Sequence, residues 1–265
     1  MRTRLRSIVP ITTLAFVVCM SALSWAQAPA QGSARIWVGR EAELEEFLKS
    51  AKPTRIDDIG TGVTRPKKAT LAPGGPFEAM AWKPIRPGVY SGYRESYEHD
   101  IAAYEFYKFF GLGMIPPTVE RKLDGDMGAA VMWASPTKSF KDLGGVPGQN
   151  KVPGPPPAKI GNWMAQITRA KMFDNLIGNI DPNLGNWLVD PEWNLILIDH
   201  TRAFTTTKNL YHQLSAVDAE LWNKMKALDE GSLTTAVGAW LDKSAMKAIL
   251  DRRDKMQEVV AKLTR

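Results

Sequence analysis

Apolar positions recur with two different periods along this chain, and the change of period divides it. Residues 41–49 place Leu44, Phe47 and Leu48 on one side at helical spacing. Residues 68–71 and 77–85 read as strands separated by the turn Pro73-Gly74-Gly75-Pro76. On the second strand Phe77, Ala79, Ala81 and Lys83 share one face. Residues 95–110 predict a helix with Tyr97, Ile101, Tyr104 and Lys108 on one stripe and Gly111 as its stop. Residues 119–121 and 129–133 predict two further strands. Helical spacing then dominates, over 161–177, 217–228 and 245–263, with Ser244 as a candidate N-cap of the last. That last helix is expected to bury Met246, Ile249, Leu250, Met256, Val260 and Leu263. Between 161–177 and 217–228 the pattern reverts to a short hairpin, 187–189 and 195–198, around Asp190-Pro191-Glu192-Trp193-Asn194. Residues 144–157 hold four Gly and five Pro and suit neither helix nor sheet interior. The expectation is an α+β chain with a strand-rich N-lobe at 59–143, a Pro/Gly flap or linker at 144–157 and a helical C-lobe at 158–265. An extension with one short helix, 27–58, precedes them.

The N-terminus adds a different pattern. Arg2, Arg4 and Arg6 precede an apolar stretch over 8–23, and Ser24-Trp25-Ala26 offers small residues for cleavage before Gln27. Residues 1–26 therefore read as a signal peptide, and the protein as exported, to a bacterial periplasm or outside the cell, with no stable membrane insertion after cleavage.

Composition changes its meaning once the leader is set aside. The 265 residues carry a net charge of +6 and one cysteine, Cys19. The leader holds that cysteine and three of the positive charges, leaving 239 residues at +3. The remaining basicity is weak, with no Lys/Arg run longer than a pair, so nucleic acid is not an expected partner. Without cysteine neither a disulfide framework nor a thiolate metal site is open to the mature chain.

Four pieces carry chemistry, in a telling order. Ala81-Trp82-Lys83 lies on a strand, and an acid follows on the next helix, Asp100 or Glu98. Asp181-Pro182-Asn183-Leu184-Gly185-Asn186 forms a loop. Leu195-Ile196-Leu197-Ile198-Asp199 is an apolar strand ending on a carboxylate. Phosphoryl transfer from a nucleotide needs a lysine for the phosphates and a helix carboxylate to hold it. It needs an Asp to orient the attacking hydroxyl, and an Asn and a second Asp to hold divalent cations. The Asp-x-x-x-x-Asn spacing has the length of a kinase catalytic loop. The loop half-fits a calcium site, but Asn186 stands where that site needs Gly. Three scattered histidines, His99, His200 and His212, do not make a zinc site. Asp174, about two helical turns before Asp181, reads as a supporting carboxylate, and His200 as a residue able to orient Asp199.

Over residues 59–204 the sequence resembles the atypical kinases. Most similar are the secretory-pathway kinases, of Golgi casein kinase and four-jointed type; phosphoinositide kinases and HipA-type kinases are more distant. The resemblance rests on Gly62-Val63-Thr64-Arg65-Pro66-Lys67-Lys68-Ala69-Thr70-Leu71, Ala79-Met80-Ala81-Trp82-Lys83-Pro84, Glu98-His99-Asp100-Ile101-Ala102-Ala103-Tyr104, Ile115-Pro116-Pro117-Thr118, Phe173-Asp174-Asn175-Leu176-Ile177-Gly178-Asn179-Ile180-Asp181 and Ile198-Asp199-His200. It implies a two-lobed protein-kinase-like fold binding ATP or another nucleoside triphosphate with Mg²⁺ or Mn²⁺. Lys83 would bind phosphate, with Asp100 in place of the family's helix glutamate. Asp181 would be the catalytic aspartate, and Asn186 and Asp199 the metal ligands. Gly60, Thr61, Gly62, Val63 and Thr64 would approach the phosphates. Ala81 and the backbone of Met132, Trp133 and Ala134 would line the adenine site.

Three departures accompany this. Asp100 is one methylene shorter than glutamate, with Glu98 as the alternative partner. Pro182-Asn183 replace the Arg-His often found after the catalytic aspartate. Asp199-His200-Thr201 replaces Asp-Phe-Gly, which excludes a conventional protein kinase. Arg202 and Lys208 are the only Lys or Arg between 200 and 220, which argues against a lipid headgroup. The acceptor is a hydroxyl of a protein, sugar or small molecule. An inactive nucleotide-binding module and a nucleotidyltransferase are the alternatives.

Overall fold

The computed structural model describes residues 32–60 and 66–264. The expected signal peptide and most of the glycine stretch, Thr61 to Thr64, lie outside the described residues. The elements run α1 (Glu41–Ser50), β1 (Pro53–Asp58), β2 (Lys67–Leu71), β3 (Ala79–Lys83), β4 (Gly88–Tyr90), β5 (Tyr93–Glu95), α2 (Tyr97–Phe110), β6 (Thr118–Leu123) and β7 (Asp126–Met132). Then come β8 (Lys138–Ser139), α3 (Ile160–Ile177), β9 (Trp187–Val189), β10 (Leu195–Leu197), α4 (Ala219–Lys226), α5 (Glu230–Val237) and α6 (Lys243–Leu263).

Five strands form one antiparallel sheet in the order β1-β2-β3-β7-β6. β3 is central, with Lys68 opposite Ala81 on one side and Ala129 opposite Lys83 on the other. Its neighbours cover both faces, so Met80 and Trp82 are as buried as Ala79 and Lys83. The strand is shorter than the expected 77–85 and stops at Lys83. β7 can approach the end of β3 because residue 128 is glycine: a Cβ there would sit 2.6 Å from the Lys83 carbonyl oxygen.

α2 begins two residues later than expected. Glu95 completes the β4–β5 ribbon, and the Ser96 hydroxyl caps the helix by accepting from the Glu98 amide. The ribbon was not anticipated, although its two-residue turn, Ser91-Gly92, has the positive φ angles that such turns require. Ten of the fourteen residues of α2 are buried. Ile101 packs on the sheet side with Ile85 and Val131. Phe106, Tyr107 and Phe110 enter the core of the helical lobe, where the rings of Tyr107 and Phe173 lie 4.5 Å apart. One helix is thereby anchored in both lobes.

The three-stranded sheet β10-β9-β8 lies between the two cores. Ile196 belongs to the sheet-lobe core, while Leu195 and Leu197 belong to the helical one. Pairing of β8 with β9 means the chain has joined this sheet by Lys138. The Pro/Gly-rich segment follows that crossing, and carries no helix or strand before the single turn at Pro157–Lys159.

Two expectations about α6 change. Asp242, not Ser244, is its cap, accepting from the Ala245 amide while the Ser244 hydroxyl also donates to it. Leu263 is exposed, and fully buried Arg252 stands on the apolar stripe in its stead. α5 was not anticipated. Among the described residues no helix is long and apolar enough to cross a membrane.

Arg252 ties the end of α3 to the segment at 205–207. Its Nε donates to the Leu176 carbonyl, and its Nη1 to the carbonyls of Thr205 and Thr207. Burial lowers its pKa to about 10. Gly178 caps α3 at φ +63°, where a Cβ would meet the guanidinium carbon at 2.7 Å. Gly178→Ala is therefore expected to cost ~2–4 kcal/mol, from left-handed backbone strain and overpacking together. Urea unfolding measures it, and a cost below about 1 kcal/mol would mean that Arg252 yields easily.

Candidate active site

Lys83 sits at the end of β3, buried. Its Nζ lies 2.9 Å from Asp100 Oδ2 and 2.9 Å from Asp199 Oδ1. Burial alone would lower the lysine pKa, but the two carboxylates overcome it and hold the pKa above the ordinary value. For Asp199 burial works upward, and the Lys83 charge and hydrogen bond overcome it, lowering the carboxyl. Of the two acids proposed for the helix, Asp100 takes the role. Its shorter side chain suffices because α2 is held close by both cores. Glu98 faces elsewhere, near the Ser96 hydroxyl.

Asp100 also accepts from the His200 backbone amide through Oδ1, at 2.7 Å. His200 thereby secures the lysine's partner through its backbone, and its ring is buried and pushed toward neutrality by desolvation. Asp199 has φ +62°, a conformation that aspartate tolerates better than most residues. The Thr201 hydroxyl donates to the same Asp199 oxygen that takes Lys83.

The loop after α3 is held by its own side chains. Asn179 donates to Asp174 Oδ1 and accepts from the Asp181 amide. Asp174 is buried and also meets His212 Nε2 at 3.1 Å, so it supports the loop from below. Asn183 donates to Asp181 Oδ1 at 2.9 Å, and Asn186 Nδ2 donates to the Asp181 carbonyl. The Ile198 amide donates to the Asn186 carbonyl, which fixes Asn186 beside the strand that delivers Asp199. Asp181 and Asp199 are 30% and 31% exposed at their side chains, so both reach solvent while Lys83 and Asp100 do not.

The metal-ligand expectation can be tested on the donor atoms. Among the described residues neither Asp199 Oδ2 nor Asn186 Oδ1 accepts a hydrogen bond. A carboxylate and an amide oxygen, both uncommitted, suit a hard divalent cation. No cluster of three or more His, Cys, Asp or Glu exists among the described residues, so these two would rely on phosphate and water for further ligands.

The remaining nucleotide residues divide. Gly60, at φ +71°, begins the connection between β1 and β2, and the Ile59 amide closes it by donating to the Pro66 carbonyl. Ala81 lies mid-strand beside Val131. In the expected adenine stretch the amides of Met132 and Trp133 are already given to the carbonyls of Pro117 and Ala79. Ala134 alone of the three keeps an amide without a partner among the described residues.

Two site residues escaped the sequence reading. Arg202 lies 2.7 Å from Glu95 and 3.4 Å from Asp181 Oδ2, over the ring of Tyr93. Glu95 is fully buried, with Oε2 unpartnered. The signal for Glu95 was its place beside the turn Ser91-Gly92, which makes it a strand residue rather than an exposed helix start.

His99, next to Asp100 on α2, makes a pH prediction. Its pKa is lowered by burial, against the upward pull of its bond to the Thr201 carbonyl. The unfolded chain then takes up a proton below pH ~6.5 that the folded ring declines, so stability falls on acidification through that range. The slope expected from His99 is up to about 1.4 kcal/mol per pH unit. Urea unfolding at pH 7.5 and 5.5 measures it, and His99→Asn should reduce the difference to the share that buried His200 contributes in the same direction.

These features define a two-lobed, kinase-like fold with a lysine–carboxylate pair at its cleft. Solved structures share it at low sequence identity. A Golgi casein kinase matches with a TM-score of 0.56 at 14% identity, over 84% of this chain and 76% of that one. Hydra Fam20 with sugar matches with a TM-score of 0.56 at 15% identity, over 84% and 88%. The Helicobacter pylori proinflammatory kinase CtkA matches with a TM-score of 0.51 at 12% identity, over 81% and 94%. No family model and no curated protein matches the sequence. The fold is thus that of the atypical kinases.

Proposed function

We propose that this protein is an exported, metal-dependent atypical kinase that transfers a phosphoryl group from a nucleoside triphosphate to a hydroxyl. The observation that carries the reading is Lys83 Nζ held 2.9 Å from both Asp100 and Asp199, with Asp181 and Asn186 tied to the same strand end. A Golgi casein kinase of related fold is known with Mn/ADP bound, which supports a nucleotide and a divalent ion here. Asp199 Oδ2 and Asn186 Oδ1 would hold that ion, which when bound neutralises charge on the phosphates.

The chain's own residues divide the remaining work. Lys83 offers a fixed positive charge to the phosphates, and Asp100 keeps it extended across the cleft. Asp181 accepts the proton of the acceptor hydroxyl as its oxygen forms the new bond to phosphorus and the nucleoside diphosphate leaves. Arg202 and Asn183 hold the Asp181 carboxylate in one orientation.

ADP with Mn²⁺ is expected to raise the melting temperature of the purified protein, and Asp199→Ala to abolish that rise. A wild type indifferent to nucleotide would sink the reading. Mass analysis of products separates phosphoryl from nucleotidyl transfer, and binding without turnover identifies an inactive binding module.

A further inference from the structure

A cavity lies beside the start of α2. It has a volume of about 230 Å³ and lies between the start of α2, the segment after Asp199 and the start of α6. Phe204, Trp240 and Leu241 supply apolar walls, and Arg94, Glu98, His99 and Asp242 the polar ones.

His99 makes this more than a packing gap. The ring is only 6% exposed. Its Nδ1 is 2.9 Å from the Thr201 carbonyl oxygen, and a carbonyl can only accept, so Nδ1 carries the proton. Nε2 is then a bare acceptor, and it has no hydrogen-bond partner among the described residues. Nε2 is not sealed off but reaches the cavity, so it can take a donor from whatever fills it.

Charge sets the sign of that donor. Glu98 and Asp242 bring two carboxylates against the single guanidinium of Arg94. Arg94 meets Asp242 only at 3.8 Å, with both side chains more than half exposed, so the pair is weak. The one hydrogen bond on the Glu98 carboxylate, from Ser96, is long at 3.5 Å. An ammonium would find two carboxylates, a ring nitrogen acceptor and aromatic faces here. For size, an apolar cavity of about 150 Å³ admits benzene. The larger volume here accommodates one ring with a short aminoalkyl arm.

We propose that this cavity is a binding site for a small arylalkyl amine, protonated at neutral pH. The ammonium donates to His99 Nε2 and to Glu98, and the ring packs between Trp240 and Phe204. The site is coupled to the cleft: His99 adjoins Asp100, and the Thr201 carbonyl that takes His99 also takes the Ser96 amide at 3.1 Å. A ligand bracing these groups holds Asp100 against Lys83, so amine and nucleotide strengthen each other's binding. The coupling, though not the binding, rests on the kinase reading.

Phenethylamine is the probe. At about a hundredfold excess over its Kd it should raise the melting temperature by about 5–10 °C. Phenylacetate and 2-phenylethanol of the same shape should not. Glu98→Gln, a partly exposed position, should remove most of the shift, and His99→Asn should do the same. Equal shifts from all three compounds, or a shift unchanged in both variants, would overturn the assignment. Titration of Mn²⁺–ADP with and without phenethylamine should show tighter nucleotide binding in its presence, and the amine affinity should change by the same factor. Equal nucleotide affinities would overturn the coupling. Amine binding in a protein that ignores nucleotide would leave the site standing and the kinase reading failed.

Discussion

Asp181→Asn is expected to lower kcat ~1,000-fold, within the range that a positioned general base contributes. Affinity for Mn²⁺–nucleotide should be nearly unchanged. Asparagine has the same shape, and Asp181 contacts neither Lys83 nor Asp199; its side-chain partners are Asn183 and Arg202. What is lost is the ability to take a proton. Single-turnover phosphoryl transfer together with nucleotide titration separates the two effects. Turnover equal to wild type would remove Asp181 from the chemistry. Joint loss of binding and turnover would assign it to holding the loop together.

Lys83→Met should be the most damaging change to stability, by ~3–5 kcal/mol at neutral pH. Among the described residues Lys83 is the only side-chain cation bonded to Asp100, which is buried and would keep just the His200 amide. The stranded Asp100 carboxylate would be left buried without a cation. Urea unfolding at pH 7 measures the loss. Lys83→Met/Asp100→Asn should recover much of the loss at pH 7, because the asparagine carbonyl still accepts from His200 without a charge. A single variant as stable as wild type would show that the pair carries no buried charge. Turnover should fall in both variants, since neither offers a charge to the phosphates.

Much of this fold could be read from local pattern, for reasons that vary by element. α3 ends on Gly178 and α2 on Gly111, both left-handed caps placed where the apolar stripe stops. The β9–β10 hairpin was legible because three-residue apolar strands flank a polar turn. The β4–β5 ribbon was missed because Val89, Tyr90 and Tyr93 stay exposed, so no buried face marks it. The N-cap of α6 was misplaced because Ser244 and Asp242 are both good caps, and only the bond to Ala245 distinguishes them.

The candidate site divides in the same way. Residue types and their order along the chain already named Lys83, Asp181, Asn186 and Asp199 and pointed to phosphoryl transfer, because that chemistry demands a cation, a base and hard oxygen ligands in separate elements. The sequence by itself also placed an acid on the helix after Lys83, but not which one. Choosing Asp100 over Glu98 depended on how closely α2 approaches β3, and that distance is set by packing in two cores at once. Arg202, Glu95 and Arg252 emerged only in three dimensions: each acts on a partner at least 21 residues away, and Arg252 works through backbone carbonyls that have no sequence signature. The cavity beside the start of α2 belongs to the same class. Its walls come from four separate stretches of chain, and only their packing leaves His99 Nε2 without a partner.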